Sequence, residues 1–575
     1  MLIKDYKEAT FVHAREFAEE EIYKFSDLEE KALSSFFTNT RRRVFFMHTL
    51  PTNMGNTLLA MYSRMKNPRG LRGVFADSFL PELLAGFLNP DSHGGDGLKW
   101  LKDKKIKSLE EFVSASPEAR YRLKDFLREI RVNPEYLEQI ANSKKTRDFN
   151  DRVLDKFGHN SVARPGMFWI CFEQISILAA KSLEWGRPGA GYIELSTRYV
   201  DMGGKDVYPA AREIAEYGVK ASDVEEVTQK SFDLYRRLQG KNFDGPFPAF
   251  LREKYGHLFG DAKDLENGVI GETCDVLGNF LPASTLTSVG VGVSGEAFQE
   301  MLKHLFLDAT PENIALIEMA LAEARKIGAD QFARHIEPTG WKEASWEYLS
   351  VKAFDHWRSD GSKIVRASLI DRRNANKILL EAFRKKESFG ECRSISDVMK
   401  KMTAPKRRSH DKLPNEFERI SASFSGIMSF RSWRDLQRQS FCAHFRTYVT
   451  PLLGFYFHDK RGCAPKAFYE ACESLHASNL RLYSEMKRKG VPDGLAQYPL
   501  AIGNMVGFDI SANLLQWEFC NWQRSKFSVN YEARKIFLDE EKILRKHYPW
   551  WAKISRADTT PDYVFARTKH GIPLK

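Results

Sequence analysis

The feature that most constrains this chain is a layout that occurs twice. The stretch GHNSVARPGMFWICFEQISILAAKSLEWGRPGAGYIELSTRYV (158–200) sets a histidine after a small residue, then a stretch that reads as an aromatic-containing helix, then a polar turn. SHDKLPNEFERISASFSGIMSFRSWRDLQRQS (409–440) repeats that order. His159 to Gly186 is 27 residues and His410 to Arg438 is 28. A further element follows in each half: Ser294 stands twelve residues after Pro282, and Asn513 twelve after Ala501. Each leads into an amphipathic helix, and recurrence of this kind reads as a divergent duplication.

The strand-like pieces Leu286 to Val293 and Ile502 to Ile510 lie beside helical patterns, so the repeated unit is expected to be α+β. Met167 to Leu183 reads as one helix-length apolar stretch ending in a turn at Gly186, Pro188, Gly189 and Gly191. Residues 1–145 read as mostly helical, with ALSSFFTNTRRRVFFMHTL and TLLAMYSRMKN carrying apolar spacings of three and four. Charge dominates 355–408 and apolar residues are sparse near SFGECRSISDV, which suggests a linker. The expected division is a helical region at 1–145, a first repeat at 146–350, a charged linker at 351–404 and a second repeat at 405–575. A length of 575 residues accommodates two to four domains at ~100–200 residues each.

Composition narrows the function classes. The seven cysteines are odd in number and scattered, with no CxxC pair and no Cys/His spacing suited to zinc, as expected for a reducing cytoplasm. The first residues are charged throughout and no run reaches ~18 apolar residues, so neither secretion nor a membrane span is expected. With 87 basic and 76 acidic residues the net charge is +11, which favours anionic partners. The runs Arg41-Arg42-Arg43, Lys102 to Lys105 and Lys406-Arg407-Arg408 could touch nucleic acid, although short runs more often form solvated surface.

Two segments carry chemistry. If GYIELSTRYV is extended, Glu194, Ser196 and Arg198 share one side, with Tyr199 next to them. A hydroxyl beside a guanidinium suits a phosphate, since both donate and Arg can do so in bidentate fashion. An edge strand with alternating polar residues has the same pattern. Asn513 and Arg524 are eleven residues apart, which at ~100° per residue places them within ~20° of one helix face. Asn530, Tyr531, Glu532 and Arg534 form another polar cluster, and a helix with a solvated face reads identically. Gly290 to Gly295 fits GxGxxG, but no repeating βαβ units surround it, and a tight strand-to-helix turn explains the glycines.

In this order the elements resemble the flavin-dependent thymidylate synthase family, in its long, internally duplicated branch. Family members carry Gly-His-x-Ser-x-x-Glu-His, then Arg-His-Arg-x-x-Ser-x-x-x-x-Ser-x-Arg-Tyr, Ala-Arg-x-x-Leu-Pro, Asn-Ala-Arg followed by an Arg, and Ala-Gln-Trp-Glu-x-Arg. The resemblance covers about 145–310 and 405–545. The first half keeps Gly158, His159 and Ser161 and the loop residues Glu194, Ser196, Arg198 and Tyr199. It has Arg164 and Pro165 for the Glu and His, Gly186, Arg187 and Pro188 for Arg-His-Arg, and Gly278, Glu296 and Leu305 at three later arginine positions. The second half keeps Arg438, Asn513, Arg524 and the run Val529 to Arg534, but has Gln439 and Ser440 after Arg438 and Gln497 where the family has Arg. It lacks the serine-arginine loop between Ala443 and Val449. Each half keeps what the other has lost.

The resemblance implies two divergent copies of an α+β thymidylate synthase-like unit sharing one composite nucleotide site. It implies reductive methylation of dUMP to dTMP, with methylenetetrahydrofolate as carbon donor and NADPH supplying reducing equivalents through FAD. Arg438 and Arg524 are then the catalytic arginines. Glu194, Ser196, Arg198, Tyr199 and Gln497 would hold the substrate, and His159, Ser161, Arg438 and Asn513 the cofactor; no metal is called for. A homodimer mimicking the family tetramer is the expected assembly, with no membrane partner and nucleic acid not favoured. The alternatives are a related flavoenzyme acting on another pyrimidine nucleotide, or a non-catalytic nucleotide- or nucleic-acid-binding protein.

Overall fold

The computed structural model describes residues 11–50, 58–59, 66–80, 105–106, 108–115, 123, 125, 167–185, 188–195, 202–204, 206–308, 310–337, 348–354, 363–439, 441–457 and 464–574. Helices and two antiparallel sheets make up the mixed architecture that the α+β reading anticipates. The chain divides into two compact units. One comprises 1–200, 205–209 and 284–346; the other comprises 201–204, 210–283 and 347–575. The helices between 210 and 283, which the sequence placed in a first repeat, therefore group with the later part of the chain.

In the first unit a four-stranded sheet runs in the order β1-β2-β4-β3, with β1 Val44–Met47, β2 Met167–Ser176, β3 Ala190–Glu194 and β4 Leu286–Ser294. Helices α1 (Val12–Glu19) and α2 (Asp27–Leu33) precede it. A capping box at Ser26 and Glu29 starts α2. RRRVFFM, expected to be helical, instead supplies β1, whose Phe45 and Met47 join Phe36, Phe37, Phe75 and Leu71 in one buried cluster. Met167 to Leu183 is likewise not one helix: its first ten residues form β2 and only Ile177–Leu183 forms a helix, α3. The apolar run lacks a period because strand and helix are both buried, and Ser176 makes the switch by capping Ala179 N–H. A bulge at Gln174, with φ of 56°, interrupts the β2–β4 ladder.

The second unit holds the order β5-β6-β9-β7, with β8 also pairing β9. These strands are β5 Ile364–Leu369, β6 Ser421–Ser429, β7 Ala443–Arg446, β8 Thr450–Phe455 and β9 Asn504–Asn513. The aromatic-containing stretch within 409–440 is again mostly strand, followed by the short helix Phe430–Leu436. The supposed linker is folded: between β5 and β6 lie helices Arg372–Arg384 and Ile395–Thr403. Their buried faces are Ala375, Leu379, Ala382 and Phe383 in the first, and Val398 and Met399 in the second. Long helices Ala221–Gln239 and Lys466–Arg488 pack together, with Lys230 Nζ donating to Ser478 Oγ at 2.7 Å.

Within each unit the same clasp recurs. Ser176 ends β2 and donates its N–H and hydroxyl to the Glu312 carboxylate, at 2.8 and 2.6 Å. Ser429 ends β6 and donates its N–H at 3.0 Å, and its hydroxyl, to Glu532. Each glutamate sits in the first turn of a helix that follows the sheet, Pro311–Lys326 in one unit and Tyr531–His547 in the other. Each is buried and receives two donors beside a helix start.

Candidate functional site

Five of the expected site residues, His159, Ser161, Ser196, Arg198 and Tyr199, lie outside the described residues. Glu194, Arg438, Gln497, Asn513 and Arg524 are described, and their surroundings differ from what the sequence suggested.

Glu194 closes β3 and is buried. Its carboxylate accepts from Lys181 Nζ at 2.7 Å, and the same ammonium donates to Glu184. One fully buried lysine thus bridges two buried carboxylates, so Glu194 anchors the strand end from which the serine-arginine segment departs. Across the ladder it faces Val289, and the next residue, Leu195, donates to Ser288 O at 2.9 Å.

The corresponding strand end of the second unit is Arg446. It faces Phe508, five residues before the helix-capping Asn513, as Val289 lies five before the helix-capping Ser294. Thr447 then donates to Gly507 O at 2.8 Å. Arg446 donates to Thr447 O at 2.9 Å and to Gln497 Oε1 at 3.2 Å, and its guanidinium lies over Phe430 and Tyr348. Gln497 also accepts from Val449 N–H at 2.9 Å. The residue that replaces a family arginine is therefore turned inward and supports the β7–β8 connection. Gly278, the other replacement, has Arg431 against it: a Cβ there would lie 2.5 Å from Arg431 Nε. Arg431 in turn donates to Cys274 O and Asp275, at 3.1 and 3.2 Å.

The two arginines expected to be catalytic belong to neighbouring elements. Arg438 sits in the turn after Phe430–Leu436, paired with Asp435 at 2.9 Å and about one-third exposed. Arg524 ends helix Leu514–Arg524. With the Gln439 amide oxygen facing the guanidinium, that oxygen accepts from Arg524 Nε and Nη2, both at 3.1 Å. The Arg438 turn thus holds Arg524 through its next residue. Asn513 does not share an open helix face with Arg524: it caps that helix, accepting from Gln516 N–H at 2.9 Å.

Behind Gln439 lies a buried group that the sequence did not single out. Cys520 Sγ is 3.4 Å from the Gln439 amide. Contact with the Cys442 thiol, together with burial, pushes the Cys520 thiol well above its ordinary range. Glu540, on Tyr531–His547, is fully buried with neither carboxyl oxygen hydrogen-bonded, and burial pushes its carboxyl up. Gln439 was visible in the sequence only as a departure from Arg-His-Arg. Lys181, Arg446 and Glu540 carried no motif: Lys181 joins Glu184 and Glu194 only once β3 folds back, Gln497 is 51 residues from Arg446, and the Glu540 carboxyl has no hydrogen-bond partner among the described residues. Among the described residues no cluster of His, Cys, Asp and Glu could hold a metal ion, and no helix is long and apolar enough to cross a membrane.

This mixed fold, with strand ends and helix termini presenting arginines, coincides with a family match. Residues 112–327 match the model described as thymidylate synthase complementing protein, so over this region the chain is similar to that family. It is 24% identical to a UPF0159 protein of Chlamydia muridarum over 91% of this chain and 94% of that one. A UPF0159 protein of Chlamydia pneumoniae is 25% identical over 86% and 88% of the two chains. A Thermoplasma acidophilum UPF0159 protein is 23% identical over 74% and 92%.

Proposed function

We propose that the protein is a flavin-dependent thymidylate synthase-like enzyme that methylates dUMP reductively, using methylenetetrahydrofolate and NADPH. The observation that carries this reading is the Arg438–Gln439–Arg524 arrangement, which presents two guanidinium groups from adjoining elements. Arg524 and Arg438 would stabilise negative charge developing on the uracil carbonyls, and Ser196 and Arg198 would bind the phosphate. Glu194 would fix the start of that segment through Lys181. The recurring Ser–Glu clasp and the matched strand registers support a duplicated unit in which the two residue sets serve one nucleotide, within a chain or in a homodimer.

FAD would supply the hydride chemistry. The residues near Arg438 suit a planar, anionic group: a partly exposed guanidinium, with Phe441 and Phe445 exposed in the segment that follows. Arg438 is the described donor that would hold it. The inward turn of Gln497 and the filling of Gly278 by Arg431 favour, as a second reading, a different pyrimidine nucleotide.

The test is a visible spectrum with FAD titration, followed by dUMP binding to Arg198→Ala, Arg524→Ala and the double variant. The reading expects flavin bands, a loss of about 2–4 kcal/mol for each single change and a double change smaller than the sum. Absence of FAD binding sinks the flavoenzyme, strict additivity sinks the shared site, and retained flavin with preference for another pyrimidine nucleotide supports the second reading.

A further inference from the structure

The helical hairpin between β5 and β6 carries a charge excess that the proposed chemistry does not use. Labelling its helices α4 (Arg372–Arg384) and α5 (Ile395–Thr403), the segment 371–408 holds twelve basic and five acidic residues. That is a net +7 of the chain's +11. Three basic side chains of the segment form ion pairs: Lys377 with Glu381, Lys386 with Glu416 and Arg408 with Asp411. Arg407 is committed to Glu518. Arg372, Arg373, Lys385, Arg393, Lys400, Lys401 and Lys406 are exposed and have no carboxylate within ion-pair distance among the described residues.

Three of the four cations within α4, and both within α5, lie on one side of their helix. At ~100° per residue Arg373, Lys377 and Arg384 fall within ~40° of one another, on the side of α4 opposite Ala375, Leu379, Ala382 and Phe383. Lys400 and Lys401 point away from buried Val398 and Met399 in α5. Lysines in the last turn of α5 complement its macrodipole, but Arg372 and Arg373 in the first turn of α4 oppose theirs, so helix stability does not account for them.

We propose that the outward face of α4 and α5 binds a nucleic-acid backbone. A row of exposed cations on a folded hairpin matches a repeating array of phosphates, and arginine forks bind phosphate in bidentate fashion. An anionic membrane fits less well, because no large hydrophobic residue of 364–420 is strongly exposed and the hairpin has nothing to insert. The proposal is independent of the nucleotide chemistry argued above.

The test measures binding of the full chain to labelled RNA, single-stranded DNA and duplex DNA of about 20 nucleotides across a salt series. Vesicles containing phosphatidylserine form a further arm. The variant Arg373→Glu, Lys377→Glu, Lys400→Glu should lose at least about tenfold in affinity near 0.1 M salt, and its salt slope should fall by about 2–3. Lys220→Glu, Arg237→Glu, Lys263→Glu changes the net charge equally on other surfaces and should leave affinity within about twofold. Arg373→Lys should keep the slope. Unchanged thermal unfolding of all variants separates loss of binding from loss of fold. Equal losses in both triple variants, binding to vesicles but not to oligonucleotides, or no oligonucleotide binding at low salt would each overturn the proposal. Preference for RNA, single-stranded DNA or duplex identifies the form bound.

Discussion

The strand ends at Glu194 and Arg446 occupy the same register position in their own sheets yet carry opposite charges. In the first unit the charge is neutralised by a buried lysine shared with Glu184; in the second it is satisfied by carbonyl oxygens and two aromatic rings. Earlier in each chain segment, 18 residues before Glu194 and 17 before Arg446, the Ser–Glu clasps are alike in partners and geometry. The difference separates what the fold requires from what the site requires. The clasp ties a strand to a later helix and keeps its chemistry in both units, while the strand end beside the expected nucleotide residues has diverged.

The largest effect should come from the lysine bridge. Lys181→Met leaves Glu184 and Glu194 buried without their shared cation, and should lower stability by about 3–5 kcal/mol in chemical denaturation. A loss below about 1 kcal/mol would show that the two carboxylates are not both charged. The clasps should respond alike: Glu312→Ala and Glu532→Ala each strand a buried N–H and hydroxyl, at a cost of about 3 kcal/mol. Costs differing by more than about 2 kcal/mol would break the comparison at its common part.

Glu540 sharpens it from the second unit alone. Its folded-state pKa is raised, so its contribution to stability is fully present below the unfolded value of ~4.3 and is lost as pH rises through the folded value. Glu540→Gln should therefore gain on the wild-type protein as pH rises, by about 1–3 kcal/mol at neutral pH. A difference that does not change between about pH 5 and 8 rules out a carboxyl held protonated. The smallest effect is expected for Arg446→Met, about 1–2 kcal/mol, because Gln497 keeps its bond from Val449 and the rings still pack.

Sequence reasoning reached strands β4 and β9, the helix between Asn513 and Arg524, and the family whose model matches 112–327. It misassigned β6, whose SASFSGIMS alternates, because that stretch was read as the counterpart of 158–200, and β2 because an unbroken apolar run reads equally as buried strand or helix when no period is present. RRRVFFM failed for the same reason, being buried on both faces as β1. The clasps were illegible because Ser176 and Glu312 are 136 residues apart and Ser429 and Glu532 are 103 apart. Charge density suggested a linker at 351–404, but the small apolar faces of its two helices suffice to fold it once packed. At the site, Arg438 and Arg524 were visible as residues, whereas their joining through Gln439 depends on a turn and a helix end that only the fold brings together.

That joining is the central claim, and tritium release from C5-labelled dUMP by the flavin-loaded protein tests it most directly. Arg524→Ala should lower turnover by about 10²–10³-fold, as loss of a donor aimed at developing charge does, and Gln439→Ala should produce a smaller fall in kcat while flavin stays bound. Wild-type release that survives Arg524→Ala unchanged would contradict the account.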